Sequence, residues 1–480
     1  MNRKMVFYTV GQMVMAEAAL LVLPLIAALY YGEAVAKHLV ISILIALAVG
    51  GAATLIFRTK DNVIYAKEGF AIVALSWIIV SAIGALPFYL SGEIPSYIDA
   101  FFETVSGFTT TGASILTDVE AMSRGLLFWR SFTHWIGGMG VLVFVMAIIP
   151  NISDRSIHLM RAEMPGPVIG KLVPRAKDTA KILYLIYIVM TVIEIILLIC
   201  GGMPFFDSLI HSFGTAGTGG FGLKADSIAG YTPYMQWVIT VFMVLFGVNF
   251  NIYYLLITKK LRSILQSSEL WTYLGIIVVS IVLITFNIYP MYHNISVAIR
   301  DSAFQVSSII TTTGYATTDF DLWPTFSKCI LLLLMFIGAS AGSTGGGLKV
   351  SRLMLLIKRV RQQLHHMLHP RSVSTIKFEG KKVEDETLSS VANYFVVYML
   401  CFALIFLILC FESFDIETNF SATAACFNNI GPGLSLVGPT SSYAGYSPLS
   451  KIVLSFAMLL GRLEIFPLIL TFIPSTWSNK

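Results

Sequence analysis

The sequence predicts an all-α membrane protein: ten transmembrane helices with four short re-entrant pore helices between them. Three observations carry this. Of 480 residues, 56% are hydrophobic and 12% are charged, with a mean hydropathy of +0.78, whereas a soluble chain carries about 25% charged residues. Apolar residues recur in runs of about 20, the helical length that crosses a hydrocarbon core of about 30 Å. The loops on one side of these runs hold further apolar stretches too short to span. The composition excludes a soluble enzyme, a disordered chain and a secreted disulfide scaffold. The short alternating strands of an outer-membrane barrel are absent. The net charge of +5 lies in loops between apolar runs and is no nucleic-acid footprint. The five cysteines form no CxxC pair and read as small buried hydrophobes.

The expected spans are 6–30, 38–57, 69–90, 125–149, 180–201, 234–258, 270–289, 323–357 (interrupted), 390–411 and 448–472. The first is read as a retained helix, because its run contains Glu17 and Pro24 and exceeds the apolar region of a signal peptide. Of the 32 Lys and Arg, 24 fall on the side of the N-terminus, six fall on the opposite side, and Arg130 and Arg462 lie within spans. Basic loops stay in the cytoplasm, so both termini are expected there, in a cell inner membrane. The opposite loops carry acids: Asp99, Glu103, Asp118, Glu120, Asp207, Asp226, Asp301, Asp319, Asp321, Glu412, Asp415 and Glu417. Negative charge at an outer mouth concentrates cations; acids also gather wherever bases are excluded.

Each of four outer loops holds a short apolar stretch ending in a tetrapeptide centred on glycine. Residues 101–108 precede Thr110-Thr111-Gly112-Ala113, and 206–213 precede Gly217-Thr218-Gly219-Gly220. Residues 299–310 precede Thr312-Thr313-Gly314-Tyr315, and 420–427 precede Asn429-Ile430-Gly431-Pro432. The central glycines are 107, 95 and 117 residues apart. One such tetrapeptide carries no weight, since Gly and Thr are common in membrane segments. Four at near-even spacing predict a fourfold repeat of span, pore helix, loop and span. Asp99, Asp207 and Asp301 lie 12 or 13 residues before their glycines, placed to favour helix N-termini. Irregular backbone at membrane depth persists only where it lines a polar cavity or is buried in protein. Four such loops meeting on one axis can turn carbonyl oxygens inward and replace the water shell of a monovalent cation. Glycine reaches the backbone angles this needs and leaves room at the axis. Potassium, which loses its water more cheaply than Na⁺ or a divalent ion, suits such a ring.

With these motifs in place, the chain resembles the TrkH/TrkG/KtrB superfamily of potassium transporters over its whole length, and its TrkH members most. TrkH members carry two additional N-terminal helices, matched by 6–30 and 38–57. The stretch Arg161-Ala162-Glu163-Met164-Pro165-Gly166-Pro167, with Pro174-Arg175 after it, is similar to their cytoplasmic loop. The resemblance implies this division: 1–62, additional helices; 63–150, first repeat; 151–262, cytoplasmic loop and second repeat; 263–387, third repeat with a broken inner helix and cytoplasmic loop; 388–480, fourth repeat. Relatives that admit Na⁺ can carry serine at the first filter glycine, so Gly112 implies K⁺ preference. The fourth loop departs from the family's T-x-G form with Asn429 and Ile430. The resemblance also implies a homodimer and a separate, nucleotide-binding regulatory ring of the TrkA kind.

The eighth span contains Gly342-Ser343-Thr344-Gly345-Gly346-Gly347. Glycine costs about 1 kcal/mol in a helix interior, so the helix is expected to break there, as helices do along ion paths. The resemblance implies that this segment is an intramembrane gate. Arg462, inside the last span, needs acceptors, and the freed loop carbonyls would supply them; Glu464 is a rival partner and snorkelling an alternative. Gly342-x₄-Gly347 also fits the start of a phosphate-binding loop, but Leu348-Lys349-Val350 breaks the motif, so no ATPase or other enzyme is expected. His365, His366 and His369 read as a solvated basic loop rather than a metal site. His134, His211 and Glu194 read as buried hydrogen-bonding groups rather than a proton relay. Basic loops 150–181 and 352–388 suit anionic lipid or a cytosolic subunit. The reading is K⁺ uptake through one pore; the alternative is a symporter coupling K⁺ to H⁺ or Na⁺.

Overall fold

The computed structural model describes residues 1–59, 65–140, 176–372 and 374–477. The end of the fourth expected span and the Arg161 to Arg175 loop motif lie outside the described residues. The first two spans are α1 (Arg3–Leu20) with α2 (Val22–Tyr30), and α3 (Ala36–Ile56). In the division expected from the sequence, the first repeat holds α4 (Ala66–Gly84), α5 (Leu86–Ser91), the short α6 (Tyr97–Phe108) and α7 (Arg124–Gly138). The second comprises α8 (Ala176–Cys200), the short α9 (Phe205–Gly217), α10 (Pro233–Phe246) and α11 (Phe250–Ile257), followed by α12 (Leu261–Leu265). The third comprises α13 (Ser268–Tyr292), the short α14 (Ile295–Ile310), α15 (Thr325–Ile337) and α16 (Val350–Leu368). The fourth comprises α17 (Asp385–Leu409), the short α18 (Ile416–Phe427), α19 (Pro448–Arg462) and α20 (Phe466–Phe472).

Among the described residues, six of the expected spans are helices long and apolar enough to cross a bilayer, and α10 with α11, taken as one span bent by 91°, makes a seventh. The bend falls where another segment docks: Ser340 N donates to Gly247 O at 3.1 Å and Phe250 N to Gly342 O at 3.0 Å. The expectation over 234–258 is one uninterrupted span; the run is mostly apolar, with Gly247 and Asn249 at the bend, and the segment that docks there lies far along the chain. The eighth span breaks after Ile337, as its glycines require, and resumes at Val350. It then runs as helix to Leu368, so His365 and His366 end an exposed helix rather than lie in a loop. Among the described residues no cluster of three His, Cys, Asp or Glu is placed to hold a metal ion. The last span breaks at Glu464 and Ile465, both with left-handed φ (58° and 63°).

Apolar side chains such as Leu44, Ile196, Val278 and Leu404 are exposed, as lipid-facing positions are. Helices in lipid associate by close packing of small residues. At the α1–α3 crossing a Cβ built on Gly50 would lie 2.9 Å from Gly11 O, so the two backbones touch. The interior is polar where the four short helices end: Thr109, Thr215, Thr311 and Asn428 are fully buried. Ser96 caps α6 through Asp99 N at 3.4 Å, and Asn294 caps α14 through Ser296 N at 3.0 Å. Asp301 was expected near the start of the third short helix. That helix begins at Ile295, and Asp301 is buried in its middle beside Arg300.

Candidate functional site: a ring of four glycine loops

After each short helix the backbone makes the same turn. Thr110, Thr218, Thr312 and Asn429 have φ of 54°, 56°, 61° and 58°, and two residues on Gly112, Gly220, Gly314 and Gly431 have φ of 81°, 76°, 82° and 98°. A left-handed β-branched residue is an outlier costing about 1–3 kcal/mol, sustained only where surrounding structure over-determines it. All three threonines are completely buried. The pattern also moves the second motif by one residue. Gly220, not Gly219, stands where Gly112, Gly314 and Gly431 stand, so the equivalent tripeptide is Thr218-Gly219-Gly220 and Gly217 belongs to the helix end. Spacing cannot choose between adjacent glycines; the backbone angle does.

The four loops touch in cyclic order. A Cβ on Gly112 would lie 3.2 Å from Gly219 C, on Gly220 3.0 Å from Thr313 C, on Gly314 3.2 Å from Ile430 C, and on Gly431 2.7 Å from Thr111 O. Each left-handed glycine thus abuts the main chain of the next loop, and the fourth returns to the first. Side chains close the same ring: Asn429 Nδ2 donates to Thr111 Oγ1 at 3.0 Å and to Met458 O at 2.9 Å. Ala113, Tyr315 and Pro432 follow the glycines. Tyr315 turns away from the ring, its hydroxyl donating to His211 O (3.1 Å) and Phe221 O (3.2 Å).

On one side of the ring lies a cavity of about 430 Å³, lined by Gly112, Gly220, Gly314, Gly431 and the segments after them. Its charged lining residues are Arg130 and Lys224, both basic. This departs from the expectation of an acidic mouth. Glu103 is buried 2.6 Å from Arg130 Nε and also accepts from Ser114 Oγ and Ile115 N, both at 2.9 Å. Asp99 pairs with Lys451 at 2.7 Å. The Glu103–Arg130 pair was legible in principle, as two charges in stretches that otherwise exclude them; their partnership was not.

On the other side the segment between α15 and α16 packs against the ends of the short helices. Gly346 N donates to Thr312 Oγ1 at 2.6 Å, and a Cβ on Gly345 would lie 2.8 Å from Thr311 O. Thr344 Oγ1 donates to Phe246 O at 3.2 Å, and Ala341 N to Glu269 Oε1 at 2.7 Å. Gly342, Ser343 and Gly347 complete the segment, and Lys349 Nζ reaches back to Gly345 O. Arg462 donates to Thr344 O at 2.8 Å, to Gly138 O at 2.7 Å and to Gly137 O. Glu464 pairs with Arg352, which lies 4.0 Å over the Tyr394 ring, and so does not compete for Arg462.

Helices of this length and apolarity, arranged around a polar interior, define a multi-pass membrane protein. The chain matches the family described as "TrkH: Cation transport protein" over residues 36–480. It is 36% identical to the Trk system potassium uptake protein TrkH of Salmonella typhimurium over 478 residues, covering 98% of both chains. It is 35% identical to the Escherichia coli protein of the same description over 475 residues, again covering 98% of each. The crystal structure of the potassium transporter TrkH from Vibrio parahaemolyticus superposes with a TM-score of 0.89 at 31% identity, covering all of both chains. The chain belongs to the TrkH family of cation transport proteins.

Proposed function

We propose that this protein takes up K⁺ through one pore on the axis of the four loops, with main-chain carbonyls of Thr110, Thr111, Gly112, Thr218, Gly219, Gly220, Thr312, Thr313, Gly314, Asn429, Ile430 and Gly431 as its selectivity filter. The closed cyclic contact of the four loops carries this reading. Four walls with the same left-handed turn present their carbonyls alike, and neutral oxygens in a ring replace water around a weakly hydrated cation. The short helices end at the ring, where their C-terminal partial charge favours a cation. The relatives' descriptions as potassium uptake proteins support K⁺ as the cargo.

The glycine-rich segment 342–347 is the gate, and Arg462 its latch. In this arrangement the segment fills the space between the ends of α14 and α18 and is held by one hydrogen bond from Arg462. The ten spans, the four pore helices and the repeat boundaries at 63, 151, 263 and 388 belong to the same proposal. So do both termini in the cytoplasm of a cell with an inner membrane, the homodimer, and control by a cytosolic nucleotide-binding subunit of the TrkA kind.

Gly112→Ser tests the filter. Its Cβ would meet Gly219 at a φ of 81°, so loop one must shift against loop two. Rubidium flux in liposomes with Na⁺ competition should show K⁺ preference falling about tenfold, the equivalent of about 1.4 kcal/mol. Unaltered preference refutes the filter.

A further inference from the structure

Loop two is built differently from its neighbours. Loops one and three carry Thr109 with Thr111, and Thr311 with Thr313, on their outer side, each hydroxyl pair 2.8 Å apart. These side chains brace the main chain behind the ring. Loop two carries Gly217 and Gly219 at the same two places. Neither glycine has a left-handed φ, so the backbone demands glycine at neither position. The reason is space. A Cβ on Gly219 would lie 2.6 Å from His134 Cδ2, overlapping the imidazole ring, and one on Gly217 would lie 2.6 Å from the His134 carbonyl carbon.

His134 belongs to α7, a span of another repeat, and is fully buried. Its ring stacks on Phe221, the residue after Gly220, with centroids 4.1 Å apart and planes 20° from parallel. Arg130, one turn earlier on α7, lies 3.4 Å over the same Phe221 ring. One face of α7 therefore holds loop two at its middle through His134 and at its exit through Phe221.

We propose that His134 is a positioning residue of the selectivity filter, supplying from a neighbouring span the bracing side chain that loop two lacks. This rests on the reading of the four loops as a filter. Filling a space is what matters, so a flat apolar ring should serve and a methyl group should not. Loop two is then the wall that loosens when the ring is removed.

The test measures rubidium flux and Na⁺ competition for the purified chain in liposomes. His134→Ala should lower K⁺ preference about tenfold. His134→Phe should keep it. Gly219→Thr alone should abolish flux, because its side chain overlaps the imidazole. Gly219→Thr combined with His134→Ala should regain flux and part of the lost preference, since the threonine side chain then fills part of the space the imidazole occupied. Flux returns by relief of the clash alone; recovered K⁺ preference above that of His134→Ala is the result a merely structural histidine would not give. If His134→Ala does not fold, the double variant carries the test alone: selective flux supports the inference and its absence overturns it. Normal preference in His134→Ala, lost preference in His134→Phe, or no recovery in the double variant each overturns it. Gly112→Ser separates the two failures. Preference lost there but kept in His134→Ala sinks the bracing role alone; preference kept in both sinks the filter.

Discussion

Arg462 sits where three carbonyls converge, and its contribution to closure follows from which of them move. Its guanidinium donates to Thr344 O in the segment proposed as the gate and to Gly137 O and Gly138 O at the end of α7. If the segment swings aside while α7 stays, the hydrogen bond to Thr344 O is broken while those to Gly137 O and Gly138 O remain. A hydrogen bond from a charged donor contributes about 1.5–3 kcal/mol. Removing it multiplies the open-to-closed ratio by about 10- to 150-fold, at 1.4 kcal/mol per tenfold. Other closing contacts persist, notably Gly346 N on Thr312 Oγ1 at 2.6 Å, so the segment should open more often without being released. Rubidium uptake into liposomes holding Arg462→Ala, without any cytosolic partner, should rise by a factor within that range until the signal saturates. Flux equal to the parent protein's would show that the arginine supports α7 and does not latch the gate.

Two further outcomes are expected. Glu103→Ala leaves the Arg130 guanidinium buried without its carboxylate, 2.6 Å away in the parent. Breaking one side of a buried pair costs about 3–5 kcal/mol, so thermal unfolding in detergent should shift down by several degrees, and an unshifted midpoint would show the pair to be dispensable. Glu412, in the loop before α18, accepts hydrogen bonds from Ser450 Oγ and from Ser447 N at 3.1 Å, and these hold its carboxyl below the usual range. A lowered value stabilises the fold above about pH 4.3, the ordinary glutamate value. That stability fades as pH falls through the lowered value, so the acid-side loss seen in a detergent melt series should be smaller in Glu412→Gln.

Much of the architecture follows from local properties of the chain. Helices lie at each expected span within the described residues, because a run of apolar residues satisfies its own backbone in lipid whatever its neighbours do. The break at Gly338 to Gly347 was legible for the same reason: consecutive glycines fail as helix in any context. The four glycine tetrapeptides were visible as a repeat. The choice between Gly219 and Gly220 was not, since it depends on a backbone angle rather than residue type. The bend in the sixth span was hidden, because its cause is the docking of residues 340 and 342 from elsewhere. The acids of the outer loops misled, because Glu103 and Asp99 are claimed by Arg130 and Lys451. His134 looked like an ordinary buried polar group until the space behind Gly219 was seen to be its own.

By itself, then, the sequence determined which segments form apolar helices, where a helix must break, and that one loop design recurs four times. These depend on solvation and backbone conformation within a few residues. Only the tertiary structure decided which loop abuts which, what Arg462 holds, and which charges neutralise one another. Those contacts join residues as far apart as Thr111 and Asn429, 318 positions along the chain, and no local preference reaches across that distance; ring closure sets them.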